Sequence, residues 1–240
     1  MKPTDFVIDE SDSFADTIIN CRRCPRLIKH CRAVAEKKIM RRSAFADEIY
    51  WGRPVPNFGK LPARLLIVGL APGAHGANRT SRMFTGDDSG LWLYRALFDS
   101  GFATTPGAST VGDNRLIDCS ITAVIHCAPP GNQPEPNEVA NCEPFLIDTI
   151  KASRPKVILA LGQLAWTRSL VAIEKIYGVS LGRGKERPKF AHGARIEASS
   201  SIPVTVLSSF HVSRQNTNTG RLTRPMLDQV FAAARKAVDN

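Results

Sequence analysis

The sequence predicts an α/β sandwich built on four buried parallel strands. Two patterns carry this. Four apolar runs, Leu65–Leu70, Ile121–Ile125, Val157–Leu161 and Val204–Leu207, are too short for helices and lack clean alternation, as expected of strands covered on both faces. Longer segments with helical punctuation lie between and after them, and strand–helix alternation marks this class. The chain has 240 residues, 43% hydrophobic and 22% charged, enough for one full core.

Taken in order, residues 1–62 read as an N-terminal arm of a single domain spanning 1–240, the arm ending in the loop Tyr50–Pro62. After the first strand, the cap-rich GDDSG leads into a helix over Leu91–Ser100. The second strand gives way to the Pro-rich PPGNQPEP and a helix over Glu135–Ser153. The third passes through Gly162 to a helix over Gln163–Ile173. Residues 178–201, rich in Gly, Ser and charge, read as an exposed excursion. The last strand is followed by a helix over Thr223–Val238, with Pro225 near its start. No internal repeat is present.

The chain carries 32 Lys+Arg against 22 Asp+Glu, a net charge of +10. Locally, Arg22, Arg23, Arg26, Lys29, Arg32, Lys37, Lys38, Arg41 and Arg42 face the single acid Glu36. Such a stripe fits a polyanion, above all nucleic acid, and equally a solvated basic face. No apolar run is long enough to cross a bilayer, so no membrane partner is expected. The start MKPTDFVIDESDSF has no apolar signal core. A cytoplasmic, reducing location follows as an expectation, and the six cysteines are expected to be unpaired. Nothing points to an obligate dimer, so a monomer is expected. Cys21 and Cys24 form CxxC ahead of any strand, which favours metal over thioredoxin-like redox chemistry. Cys127 and Cys142 stand as a second pair. Four thiolates suit zinc or an iron–sulfur cluster, and spacing does not choose between them.

Ligands of open parallel sheets bind at the carboxyl ends of the strands. Here those ends lead into GLAPGAHG (Gly69–Gly76), HCAPPGNQP, GQLAW and SSFHVSRQNTNTG. Gly69–Gly76 is a tight turn, or an anion cradle of backbone amides. Phe84 precedes the acid pair Asp87–Asp88 in FTGDDSG. The bland reading makes Phe84 core and Asp88 or Ser89 a helix cap; the functional one makes Phe84 a stacking ring and Asp87 the group that orients a water. His211 opens a polar loop with no acid from Ser199 to Leu227, either a phosphate grip or a polar turn. Asn132 is a turn residue or a base or water contact.

Together CRRCPRL, GLAPGAHGANRTSRMFTGDDSG, HCAPPGNQPEPNEVANC, LALGQLAW and FHVSRQNTNTGRLT resemble the uracil-DNA glycosylase superfamily, most closely its family 5, the type B iron–sulfur enzymes. The motifs occur in the family's order over roughly 200 residues, more specific than any single one. The resemblance implies a three-layer α/β/α sandwich around a central, mainly parallel four-stranded sheet. It implies a 4Fe–4S cluster on Cys21, Cys24, Cys127 and Cys142, pinning the arm, with Cys31 and Cys119 ordinary thiols. The implied activity is hydrolysis of the N-glycosidic bond of uracil in DNA, a base-excision repair step that requires the base to be flipped out. Phe84 would stack on it, and the amides around Ala71, Pro72 and Gly73 would contact the base or hold the water. His211 would stabilise the departing anion, Asp87 would orient the water or support the cationic sugar, and Asn132 would help hold that water. Ser213, Arg214, Gln215, Asn216 and Arg221 would grip the DNA, with Leu222 the nearest apolar wedge.

Three positions depart from relatives. Leu70 replaces a polar or acidic residue, which moves the burden to Asp87. Ala123 replaces an asparagine that reads uracil's edge, which predicts a range including deaminated purines such as hypoxanthine. Val212 replaces the proline of His-Pro-Ser. The competing readings are a non-catalytic nucleic-acid-binding protein on the same fold and a zinc-bearing hydrolase using Asp87 and His211.

Overall fold

In a computed structural model, residues 13–39, 45–107, 116–198 and 203–240 are described. The calls on Arg41 and Arg42 lie outside them. The elements are α1 (Ser13–Ile19), α2 (Pro25–Ala35), β1 (Leu65–Gly69), α3 (Ala77–Thr80), α4 (Asp88–Asp99), β2 (Cys119–Ala123), α5 (Pro136–Ser153), β3 (Val157–Leu161), α6 (Gln163–Tyr177), β4 (Arg195–Ala198), β5 (Val204–Ser209), α7 (Arg214–Asn218) and α8 (Arg224–Asp239).

The sheet runs β2-β1-β3-β5-β4. The four expected strands pair in parallel, with Ile67 opposite Ile121 and Leu159, and Leu159 opposite Leu207. Each is buried along its whole length. Alternate residues serve opposite layers. Leu65 and Ile67 join Leu93, Leu97, Leu227 and Phe231 of α4 and α8 on one face. Leu66 and Val68 join Leu27, Leu146, Trp166 and Leu170 of α2, α5 and α6 on the other. The expected three-layer sandwich is what forms.

The strand count is corrected from four to five. β4 arises within the 178–201 excursion and pairs antiparallel with β5. Its sequence RIEA buries only Ala198, and Arg195 pairs with Glu197 on its exposed side. A charged edge strand shows no apolar run to read, and its charges guard the sheet's edge. The same excursion is stitched to α6, where Glu174 accepts from Arg187 and from the Leu181 amide.

The arm holds two helices where none was expected. α2 starts on Pro25 after Cys24 and sends Leu27, Cys31 and Val34 inward. Arg26 reaches Glu138 with Nε and Nη2 at 2.8 and 2.7 Å, so a buried carboxylate locks the arm to the first turn of α5. Val55 and His126 exchange bonds at 2.7 Å. Among the described residues no helix is long and apolar enough to cross a membrane.

Candidate active site

The segments that follow β1 and β5, the strands on either side of β3, bring Phe84 and His211 together. β1 ends at Gly69, and a β-carbon built there would lie 2.8 Å from the Phe84 ring. Glycine is therefore what lets the ring lie on the strand end. Phe84 itself holds φ 55°, an unusual backbone state for an aromatic residue. Its ring faces His211, with centroids 6.0 Å apart and planes 33° apart.

Asp87 sits between two loops. It, rather than Asp88 or Ser89, caps α4: Oδ1 accepts from the Gly90 amide at 3.2 Å. Oδ2 faces the glycine-rich turn, at 3.0 Å from a β-carbon built on Gly73 and 2.5 Å from one built on Gly76. The cap expected of Asp88 or Ser89 thus falls to one oxygen of Asp87, and the other oxygen lies against the glycine-rich turn. Gly73 O closes the turn by accepting from the Gly76 and Asn78 amides at 3.1 and 3.0 Å. Pro72 is buried, and Ala71 and Gly73 are half-buried beside it.

Sequence reading missed Arg79, which holds both loops. Its side chain, 8% exposed, donates to His75 O and Gly86 O at 2.9 Å each, pairs with Glu48 and stacks on Phe45 at 4.0 Å. Its signal was weak: one more arginine in a basic chain. Gly86, at φ 82°, would drive a β-carbon to 2.7 Å from Arg79 Nη2.

His211 is half-buried, and desolvation lowers its pKa to about 4, so its imidazole is neutral at pH 7. A neutral imidazole still donates one hydrogen bond. Asn132 lies on the loop after β2, exposed, with φ 57°. Its amide bonds Pro129 O, and among the described residues no hydrogen bond joins its side chain to Asp87 or His211.

The expected DNA-gripping loop is partly helix. Ser213 is the N-cap position of α7. Arg214 pairs with Asp88, joining this segment to α4. Gln215 is exposed. Asn216 turns inward, its Nδ2 donating to His211 O at 2.8 Å. Arg221 stacks on Phe210 at 4.7 Å. Leu222 cannot be a wedge: it is fully buried with Val212, Leu227 and Phe231. An apolar residue beside a polar loop reads the same in sequence whether it faces core or groove.

On the other layer, Cys21, Cys24, Cys127 and Cys142 line one pocket whose wall includes Leu27, Ile28, Ile125 and Phe145. Burial pushes the Cys142 thiol up to about 12, with Cys21 and Cys24 adding repulsion. Cys127 is raised by its bond with Cys31 and by burial, with Cys142 and Cys21 adding to it. Among the described residues no three Cys, His, Asp or Glu side chains are grouped to hold a metal ion. Four thiols lining one apolar pocket are a donor set that fits either zinc or an iron–sulfur cluster. The first three arginines of the basic stripe are held beside this pocket. Arg22 bonds the Ile19 and Cys21 carbonyls, Arg23 bonds Asn141 O and stacks on Phe145, and Arg26 is held by Glu138.

Comparison with known proteins agrees with this geometry. The family described as the Uracil DNA glycosylase superfamily matches residues 56–235. A type-5 uracil-DNA glycosylase of Mycobacterium bovis is 45% identical over 219 residues, 90% of this chain and 77% of that protein. Those of Pyrobaculum aerophilum and Thermus thermophilus are 42% and 41% identical, covering 93% and 95% of this chain and 91% and 98% of theirs. Sheet order, strand-end residues and these matches place the chain in the uracil-DNA glycosylase superfamily, among relatives named type 5.

Proposed function

We propose that this protein hydrolyses the N-glycosidic bond of uracil in DNA as a monofunctional glycosylase of base-excision repair, and that it also accepts other deaminated bases such as hypoxanthine. The observation that carries the reading is the meeting of the segment holding Phe84 and Asp87 with the segment holding His211 at the carboxyl end of the sheet. A base inside a duplex must be flipped out to reach them. The Phe84 ring offers its face for stacking. As the bond breaks, its electron pair leaves with the base, and the neutral His211 donates a hydrogen bond to that anion. The water oxygen bonds the sugar carbon, and its proton passes to Asp87, whose Oδ2 faces the Gly73–Gly76 turn. Asn132, from the loop after β2, would help Asp87 hold that water. Ala71 and Gly73 supply amides beside the base.

The broad range rests on Ala123, buried at the end of β2. A methyl group offers no donor or acceptor to reject a different base edge. The same reading assigns a 4Fe–4S cluster to Cys21, Cys24, Cys127 and Cys142. Bound there, it would tie the start of α2 to β2 and α5 and serve structure. The protein would act as a monomer on DNA, with no membrane partner.

The test is base release from labelled DNA carrying one uracil or one hypoxanthine, read as strand cleavage at the abasic site, on brown protein analysed for iron and sulfide. Release from both lesions is expected. DNA binding without release from either would leave the non-catalytic reading, and zinc in place of iron would remove the cluster.

A further inference from the structure

Residues 178–201 matched no motif of the family. The structure gives part of that segment a place beneath the loop that carries His211. Gly193 N donates to Ser208 O at 2.9 Å, Ser208 N to Ala194 O at 3.0 Å, and Ser208 Oγ to Ala191 O at 2.5 Å. The excursion therefore runs alongside the end of β5, immediately before Phe210 and His211.

His192 fills the gap this leaves. The Phe210 N–H donates to its Nδ1 at 3.2 Å, and its Nε2 lies 3.2 Å from Met226 O on α8. The first bond requires Nδ1 to accept and the second requires Nε2 to carry the proton, which sets a neutral ring in one tautomer. The His192 and Phe210 rings lie 5.1 Å apart at 37°. Phe190 and the Arg221 guanidinium pack the same phenyl ring at 6.1 and 4.7 Å.

These bonds matter because the His211 ring has none of its own. Among the described residues nothing hydrogen-bonds that imidazole; it meets Phe84 and leaves its Cβ 3.5 Å from a β-carbon built on Gly162. Its orientation is set through the backbone on either side. Asn216 holds the His211 carbonyl at 2.8 Å, and His192 holds the amide one residue before. Val212 carries no ring to stiffen the chain as a proline would.

We infer that His192 is a positioning residue for His211, fixing the Phe210 amide so that the His211 imidazole meets the departing base. The inference rests on the glycosylase reading and deepens it.

Two conservative variants separate the two bonds. His192→Asn keeps an acceptor near the position of Nδ1, and His192→Gln keeps a donor near the position of Nε2. His192→Phe keeps a ring and removes both. Excision of uracil from a single-uracil duplex is measured under steady-state and single-turnover conditions, with melting temperature recorded for each protein. The His211 ring resonances, assigned by their loss in His211→Asn, are followed by NMR.

The expected result is a fall in kcat of about ten- to a hundredfold in His192→Phe and His192→Gln, with KM unchanged. The His211 resonances shift in both, while His192→Asn recovers most of the rate and the wild-type spectrum. Wild-type kcat in His192→Gln, or equal losses in Asn and Gln variants that track melting temperature with the His211 signals unmoved, would overturn the inference. Should the wild-type protein release no uracil, the glycosylase reading falls instead. The NMR comparison then still decides whether His192 orients His211.

Discussion

The Asp87 carboxylate divides its two oxygens between the cap of α4 and the glycine-rich turn. Gly76→Ala is expected to separate these duties. Its β-carbon would stand 2.5 Å from Oδ2, so the carboxylate must move while the Oδ1 cap can remain. Excision should fall more than about tenfold, with a smaller change in melting temperature. Similar loss from both would mean that the turn is only structural. The His211 imidazole gives a second residue-level prediction. Its pKa is lowered from 6.5 to about 4, so the folded protein takes up this proton less readily than the unfolded chain. Stability should therefore fall as pH drops from about 6.5 to 4 and level off below. His126, also lowered to about 4 by burial, acts in the same direction. The difference between wild type and His211→Asn in urea midpoints at pH 7 and pH 4.5 isolates the His211 share. An identical pH dependence in the two proteins would contradict a neutral, desolvated His211. His211 was legible because it follows closely on a strand end, and Phe84 and Asp87 because an aromatic precedes an acid pair in FTGDDSG. Arg79 and His192 were not, because their roles come from backbone carbonyls and an amide, which no side-chain pattern in the sequence marks.

At the level of elements, apolar runs exposed the four parallel strands, and caps and prolines exposed the long helices. α7 and β4 escaped because neither has an apolar run: α7 buries no residue and β4 buries only Ala198. Leu222 shows how an element decides a side chain's fate. It lies between α7 and α8, and its amide bonds Asn216 O at 3.0 Å, which turns the side chain into the core. Leu222→Ala should cost about 2–5 kcal/mol of stability as a cavity, read by urea unfolding. A stable variant with weakened DNA binding would restore the wedge. α3 holds Arg79, which joins the glycine-rich turn, Gly86 and Glu48. Arg79→Met leaves Glu48 without that partner. By removing the donor to His75 O and Gly86 O it should cost about 1–3 kcal/mol and loosen Asp87, lowering excision beyond the loss of folded protein.

Over the whole molecule, the +10 charge predicts DNA affinity that falls linearly in log–log plots against salt. The structure changes which arginines should carry that slope. Arg22, Arg23 and Arg26 bond to carbonyls and to Glu138 around the cysteine pocket, so Arg26→Glu should loosen the arm before it alters the slope. Protease sensitivity of residues 13–39 reads that loss. Arg214, exposed and paired with Asp88 across the site, is placed to exchange that partner for a phosphate. The charge was countable in the sequence; its destination was not, since the acids that hold Arg26 and Arg214 lie 112 and 126 residues away.

The central claim is that one strand-end site performs the excision. Single-turnover release of uracil by Asp87→Asn, at protein concentrations that saturate the DNA, tests it most directly. Asparagine keeps an acceptor for the α4 cap and removes the proton acceptor. Release slowed by about a hundredfold or more, with DNA affinity and melting temperature retained, is the predicted result. Release at the wild-type rate would contradict the account and move the chemistry away from Asp87.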